Sequence, residues 1–302
     1  MKNAIKNILN QLPYVKGLHK ENANFNKNSF VPAGHYYSPI VSVDDIERRA
    51  TDIWKNIEVD GVTGIDLHAE AQVRLVKELS AYYKDLPFSE TKEGKLRYFF
   101  GNYYYSYTDG IILYSMMRHF KPERIIEVGS GYSSALMMDV NELFFDNKIE
   151  LNFVEPYPER LSSLMTEKDK QSSKIIEKPV QAMETDYFKK LKKGDILFID
   201  SSHVSKCGSD VNYILFEILP ILNSGVLIHF HDIFYPFEYP KDWVLEGKNW
   251  NEDYFLKAFL MYNGEFQIKI FSHYLHVHHK EAFTDMPLSF NNTGGNIWIE
   301  KI

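Results

Sequence analysis

Cysteine is nearly missing from this chain: Cys207 stands alone among 302 residues, which excludes an intrachain disulfide and a cysteine zinc cluster. That usage fits a reducing compartment, and a cytoplasmic location is the expectation. Positive charge is also in deficit. The 34 Lys and Arg against 41 Asp and Glu give a net charge of -7, so nothing electrostatic favours a nucleic-acid partner. Long apolar runs are absent, and stretches such as Gly225 to Ile228 are far too short to cross a bilayer. No transmembrane segment is expected. Met1 to Lys20 spreads its lysines throughout, unlike a secretory leader. There is no internal repeat or low-complexity tract.

What the chain does have is apolar and aromatic material. Hydrophobic residues make up 44% and aromatics 15%, enough for a sizeable core. Residues 1–108 read as a mostly helical N-terminal region. Ile5, Ile8, Leu9 and Leu12 fall at helical spacing, as a short helix packed on its own domain or on a partner would, with a membrane-surface helix the alternative, and homo-oligomerisation through them is open. Ser42 opens a capped helix start, and His68 to Tyr83 carries apolar residues at helical spacing. Between them, Phe30 to Ile40 is irregular, broken by Pro32, Gly34 and Pro39.

Residues 109–302 alternate between the two periodicities. Helices are expected at Asp109–Phe120 (with Asp109 as its cap), Ser133–Phe145, Pro158–Met165, Met183–Leu191, Asp210–Leu222 and Trp250–Tyr262. Strands are expected at Arg124–Val128, Ile149–Val154, Lys174–Glu177, Asp195–Ile199, Gly225–Phe230, Phe266–Phe271 and Asn296–Glu300. Alternation of this kind predicts an α/β fold: a doubly wound, Rossmann-like, mostly parallel sheet with helices on both faces.

The sharpest motif is Glu127-Val-Gly129-Ser130-Gly131, where an apolar strand enters a glycine turn and then a helix. Gly129 and Gly131 permit the tight turn and close approach of a ligand to the backbone. The third glycine of a dinucleotide fingerprint is missing, since Ser134 stands there. An acid at Glu127 is unhelpful to a pyrophosphate but suits a cationic ligand, such as a sulfonium with an α-amino group. Glu155 ends the second strand, where a carboxylate can accept hydrogen bonds from both hydroxyls of a ribose.

These pieces, with Phe198-Ile-Asp200-Ser-Ser-His203 and His229-Phe-His231-Asp232, resemble class I S-adenosylmethionine-dependent methyltransferases. More closely, they resemble the bacterial small-molecule O-methyltransferase and cephalosporin-hydroxylase-like group. The resemblance covers about Asp109 to Asp232. It implies an S-adenosylmethionine domain over residues 109–302, with cofactor contacts at Glu127, Gly129, Ser130, Gly131, Glu155 and Asp200. It also implies an adenine contact near Val180 and Gln181. The implied reaction is methylation of a hydroxyl on a small molecule or sugar. An N-methyltransferase, a non-catalytic cofactor-binding module and an NAD-dependent oxidoreductase are the alternatives.

Asp200, His203, His231 and Asp232 follow the fourth and fifth strands at one sheet edge, where open α/β sheets bind ligands. His203 is expected to act as general base, with Asp200 and Asp232 orienting the acceptor. The alternative is a divalent ion such as Mg²⁺ on Asp200 and Asp232, as in catechol-type O-methyltransferases. Ile233 stands where that group places Asn, which favours the metal-free version. His273, His276, His278 and His279 read as a solvated edge or loop. The His35-Tyr-Tyr37 segment and the Tyr103 to Tyr107 stretch read either as lids over the acceptor or as packing.

Overall fold

The computed structural model describes residues 12–302, so the helical spacing at Ile5, Ile8 and Leu9 falls outside it. The chain divides into two compact units: residues up to 55 with 241–249, and residues 56–240 with 250–302. In the smaller unit, Pro13–Asn28, Val43–Ile53 and Lys241–Leu245 are helical. The Ser42 hydroxyl accepts from the Asp45 amide at 3.4 Å, so the capped start expected there forms.

The larger unit is built on a seven-stranded sheet of order β3-β2-β1-β4-β5-β7-β6. The strands are β1 Arg124–Val128, β2 Glu150–Val154, β3 Lys174–Ile176, β4 Ile196–Ile199, β5 Leu227–His231, β6 Phe266–Phe271 and β7 Asn296–Lys301. β1 to β5 pair in parallel, while β7 runs antiparallel to both β5 and β6. Ile125, Ile126, Leu197, Phe198 and Ile228 are all fully buried, as strands covered on both faces require. This is the doubly wound Rossmann-like fold. Its strand order reverses between β1 and β4, and the crevice outside their carboxyl ends is the place such sheets bind ligands.

Residues 56–108 belong to this unit by packing. Val76 and Leu79 on helix Ala69–Leu79 are fully buried in the same core as β1, and the helix lies against β6. The division expected near residue 108 is therefore a change of secondary-structure pattern, not a gap in packing.

Some local expectations are corrected. The helix expected from Asp109 begins at Tyr107, which puts Asp109 inside its first turn rather than at its cap. The Asp109 carboxylate instead accepts from the Gly295 amide at 3.0 Å and the Asn296 amide side chain at 2.6 Å. The helix expected over Met183–Leu191 is one short 3₁₀ segment, Thr185–Lys190. The expected helix Asp210–Leu222 forms, but passes through a π-helical turn at Ile214–Ile218 and closes in a 3₁₀ turn at Leu219–Ile221. Among the described residues, no helix is long and apolar enough to cross a membrane.

Candidate active site

The turn after β1 is built around one close approach. Gly129 has φ +80, and a Cβ there would lie 1.7 Å from the Asp200 carbonyl oxygen. Only glycine lets the ends of β1 and β4 sit side by side. Beneath the turn, the Ser133 hydroxyl donates to one oxygen of Glu127 at 2.5 Å and the Ser134 hydroxyl donates to the other. The Gly131 amide in turn donates to the Ser134 hydroxyl oxygen at 2.9 Å. Glu127 is fully buried, and that burial pushes its carboxyl up to about 8 in spite of the hydroxyl donors. Its place is behind the turn, lining neither cavity described next.

Two cavities adjoin at the switch point. The larger, about 470 Å³, is lined by Gly129, Glu155, Val180 and Gln181. The smaller, about 240 Å³, is lined by Ser130, Gly131, His203, His231 and Asp232. Asp200, Ser201 and Ser202 line both. Glu155 accepts from the Ser130 amide at 3.0 Å and the Tyr157 amide at 2.8 Å, which fixes its carboxylate at the cavity wall. Gln181 reaches the Gly208 carbonyl at 3.4 Å on the same cavity. The Ser201 hydroxyl is buried with no hydrogen-bond partner among the described residues. A polar ligand at the junction would satisfy it.

The four residues expected to carry the chemistry do converge. His203 Nε2 lies 3.3 Å from Asp200 Oδ1 and 3.6 Å from Asp232 Oδ2, and His231 Nε2 lies 3.4 Å from Asp232 Oδ1. His203 and Asp232 both hold left-handed backbone, at φ 59 and 56, a strain that tends to gather at working sites. Burial alone would lower the His203 imidazole. Asp200, Glu252 and Asp232 outweigh it and hold His203 well above its ordinary value. Burial raises the Asp232 carboxyl in spite of both histidines, whereas His231 and His203 hold Asp200 below the usual range against its own burial. One oxygen or nitrogen each from Asp200, His231 and Asp232 lie within 4.8 Å of one another, a set able to hold a metal ion.

Several residues of the site escaped the sequence. Glu252 accepts or shares the proton of His203 Nδ1 at 2.8 Å, and it is brought there because the His203 carbonyl accepts from the Asn251 and Glu252 amides. Asp109 sits 4.0 Å behind His231 Nδ1. Asn102 shapes the tyrosine loop: its side-chain oxygen accepts from the Tyr105 amide at 2.7 Å and the Tyr104 amide at 3.1 Å. Tyr105 is thereby buried against His231, and Tyr104 stacks on Tyr132 at the rim of the smaller cavity. Tyr103 is fully exposed. Three of the second group of histidines, His273, His276 and His278, lie on a helix rather than an edge or loop, and His279 follows its end. Ser272–His278 is a helix, His276 stacks on Phe283, and His273 accepts from the Tyr235 amide. Burial pushes both rings down to about 4, so they are neutral packing groups.

A mostly parallel sheet with a glycine turn, an acid ending β2 and a polar cluster after β4 and β5 gives the Rossmann-like fold of the methyltransferase class. Residues 126–233 match the family model described as a methyltransferase domain. The chain is 33% identical over 170 residues to an uncharacterised protein of Archaeoglobus fulgidus, covering 55% of this chain and 75% of that one. It belongs to the same family as that archaeal protein, and residues 126–233 carry the match to a methyltransferase domain. Among solved structures it is similar to the SAH-bound methyltransferase PaMTH1 of Podospora anserina, at 19% identity and a TM-score of 0.40, covering 91% of this chain and 99% of that one. It is also similar to the O-methyltransferase TomG of Streptomyces achromogenes in complex with SAM, at 11% identity and a TM-score of 0.42, covering 84% and 97%. At those scores neither likeness bears on the chemistry of this chain.

Proposed function

We propose that the protein transfers the methyl group of S-adenosylmethionine to a hydroxyl of a small molecule or sugar in the cytoplasm. The observation that carries this reading is the pair of cavities sharing Asp200, Ser201 and Ser202. A cofactor that meets Glu155 and Gln181 in the larger cavity and Gly131 in the smaller must lie across that junction. Its reactive end then falls beside His203, His231 and Asp232. The donor groups fit: Glu155 retains lone pairs for ribose hydroxyls, Gly129 leaves the backbone open, and Ser201 offers a free hydroxyl.

The cofactor supplies an already activated methyl group on a sulfonium, so the protein has to align the acceptor and remove its proton. A histidine held protonated by three carboxylates has no lone pair to accept with. We therefore assign proton acceptance to Asp232, whose raised carboxyl is the stronger base, and give His203 the part of its charged partner. Asp200 orients the pair from the other side. His231 presents its Nε2 to Asp232.

The clustering of Asp200, His231 and Asp232 favours one second reading, in which these three hold a Mg²⁺-like ion that lowers the acceptor hydroxyl's pKa. Within the larger unit, the segment from 56 to 108 we assign to the acceptor side as cover, with Tyr104 at the cavity rim. The experiment is calorimetric titration with S-adenosylmethionine and NAD, followed by a mass-spectrometric screen of hydroxylated acceptors. NAD binding without S-adenosylmethionine binding would overturn the assignment, and methylation at nitrogen alone would move it to an N-methyltransferase.

A further inference from the structure

The smaller cavity is crowded with carboxylates and histidines, yet one strong cation lines it as well. Arg160 is its only arginine or lysine among the described residues. Its side chain runs from the helix Glu159–Leu164 across the glycine turn: a Cβ added to Gly131 would touch Arg160 Cδ at 3.3 Å. The guanidinium ends over the Tyr104 ring, 4.1 Å from its centroid, and Tyr104 is itself stacked on Tyr132. Stacking orients the planar fork and leaves its N–H donors in the plane, free to point at a ligand. Among the described residues no carboxylate forms an ion pair with it, although Asp200 feels its charge. The molecule spends several carboxylates on Arg97, buried between Asp139 and Asp169, and none on Arg160.

A guanidinium pre-oriented beside Gly131 and left without an anion fits a planar carboxylate, which it can bind with two parallel hydrogen bonds. We propose that Arg160 binds the α-carboxylate of the methionyl end of the cofactor. The inference rests on the reading of the site as an S-adenosylmethionine pocket and deepens it. The adenosyl part of the ligand meets the larger cavity, the amino-acid part crosses Gly131, and Arg160 with Tyr104 closes over it. Arg160 is thus a ligand-positioning residue supplied by the helix that follows Glu155, so one connection after β2 serves both ends of the cofactor.

The test is calorimetry with two probes, S-adenosylhomocysteine, which keeps the amino-acid carboxylate, and 5′-methylthioadenosine, which lacks it. Arg160→Gln should weaken S-adenosylhomocysteine by at least about tenfold and leave 5′-methylthioadenosine unchanged, and Arg160→Lys should recover part of the loss. Equal loss for both probes would show that Arg160 only props the tyrosine loop, and overturns the proposal. Unchanged S-adenosylhomocysteine affinity would overturn it too, and leave the guanidinium for an anionic acceptor. If the unaltered protein binds neither probe, the cofactor reading itself falls and takes this one with it.

Discussion

His203 Nδ1 and Glu252 Oε2 lie 2.8 Å apart, both buried, which makes Glu252 the support behind the imidazole that faces Asp200 and Asp232. Burial pushes the Glu252 carboxyl up while His203 pulls it down. With three carboxylates around one ring, the protonated imidazole is the stable form. A folded-state value raised above the unfolded 6.5 means stability that is fully present below 6.5 and lost as pH climbs through the raised value. Glu252→Gln should therefore cost most near pH 6, and the gap to the unaltered protein should narrow as pH rises. Urea unfolding at a series of pH values reads this directly, and a gap that widens with pH would contradict it.

Glu127 gives a second pH dependence of separate origin. Its carboxyl moves from 4.5 to about 8, so between those values the folded protein keeps a proton the unfolded chain has released. Stability from this group is present below 4.5 and falls as pH rises through about 8. Glu127→Gln should remove that decline, a difference on the order of a few kcal/mol across the window. Parallel stability profiles for the two proteins would mean that the buried carboxyl is not titrating.

Gly129→Ala tests the contact between strand ends. The added methyl would meet the Asp200 carbonyl and must do so at φ +80. The expected cost is about 1–3 kcal/mol from overpacking, with further loss from the left-handed backbone. Cofactor affinity should fall as well, because β1 and β4 have to part. Wild-type affinity in a stable Gly129→Ala variant would remove this turn from the binding site.

Glu155→Ala should weaken S-adenosylmethionine by about 1–3 kcal/mol, the penalty for polar groups left unpaired. The Ser130 and Tyr157 amides lose their acceptor at the same time. Calorimetry gives the number, and an unchanged affinity would take Glu155 out of the site.

Catalysis separates the two readings of the cluster after β4 and β5. Without a metal, turnover survives EDTA, and Asp232→Asn or His203→Ala lowers it by about 10²–10⁴-fold. With a metal on Asp200, His231 and Asp232, EDTA abolishes turnover and Mg²⁺ restores it. Full activity in both variants with EDTA harmless would leave alignment alone as the source of rate.

How much of this could be read beforehand follows the range of the interactions. The strands β1 to β5 announce themselves through continuous apolar runs such as Ile125-Ile126 and Leu197-Phe198, buried on both faces. The glycine turn and the strand-end residues Asp200, His231 and Asp232 follow from that frame, because strand ends in a parallel sheet share one edge. Asp109 was misplaced because its partners, Gly295 and Asn296, come from the far end of the domain. Glu252 was invisible for the same reason: it reaches His203 only because a loop carbonyl caps its helix. The four histidines from 273 to 279 misled because histidine is common on wet surfaces, whereas here a short helix turns two of them into the core.

The pairing of β7 between β5 and β6 also makes the completion of β5 wait on a distant part of the chain. β5 carries His231 and Asp232 into the site, yet one of its edges is completed only by residues 296–301. While the chain emerges from a ribosome, that edge stays unpaired through the synthesis of everything between them. The nascent sheet can fold from β1 to β4 as each strand appears, with only the β5 side left incomplete. A strand edge held open this long is the point at which two unfinished chains would join, so crowded expression should yield aggregates seeded at β5. β7, seventh in chain order, is the strand that closes that opening.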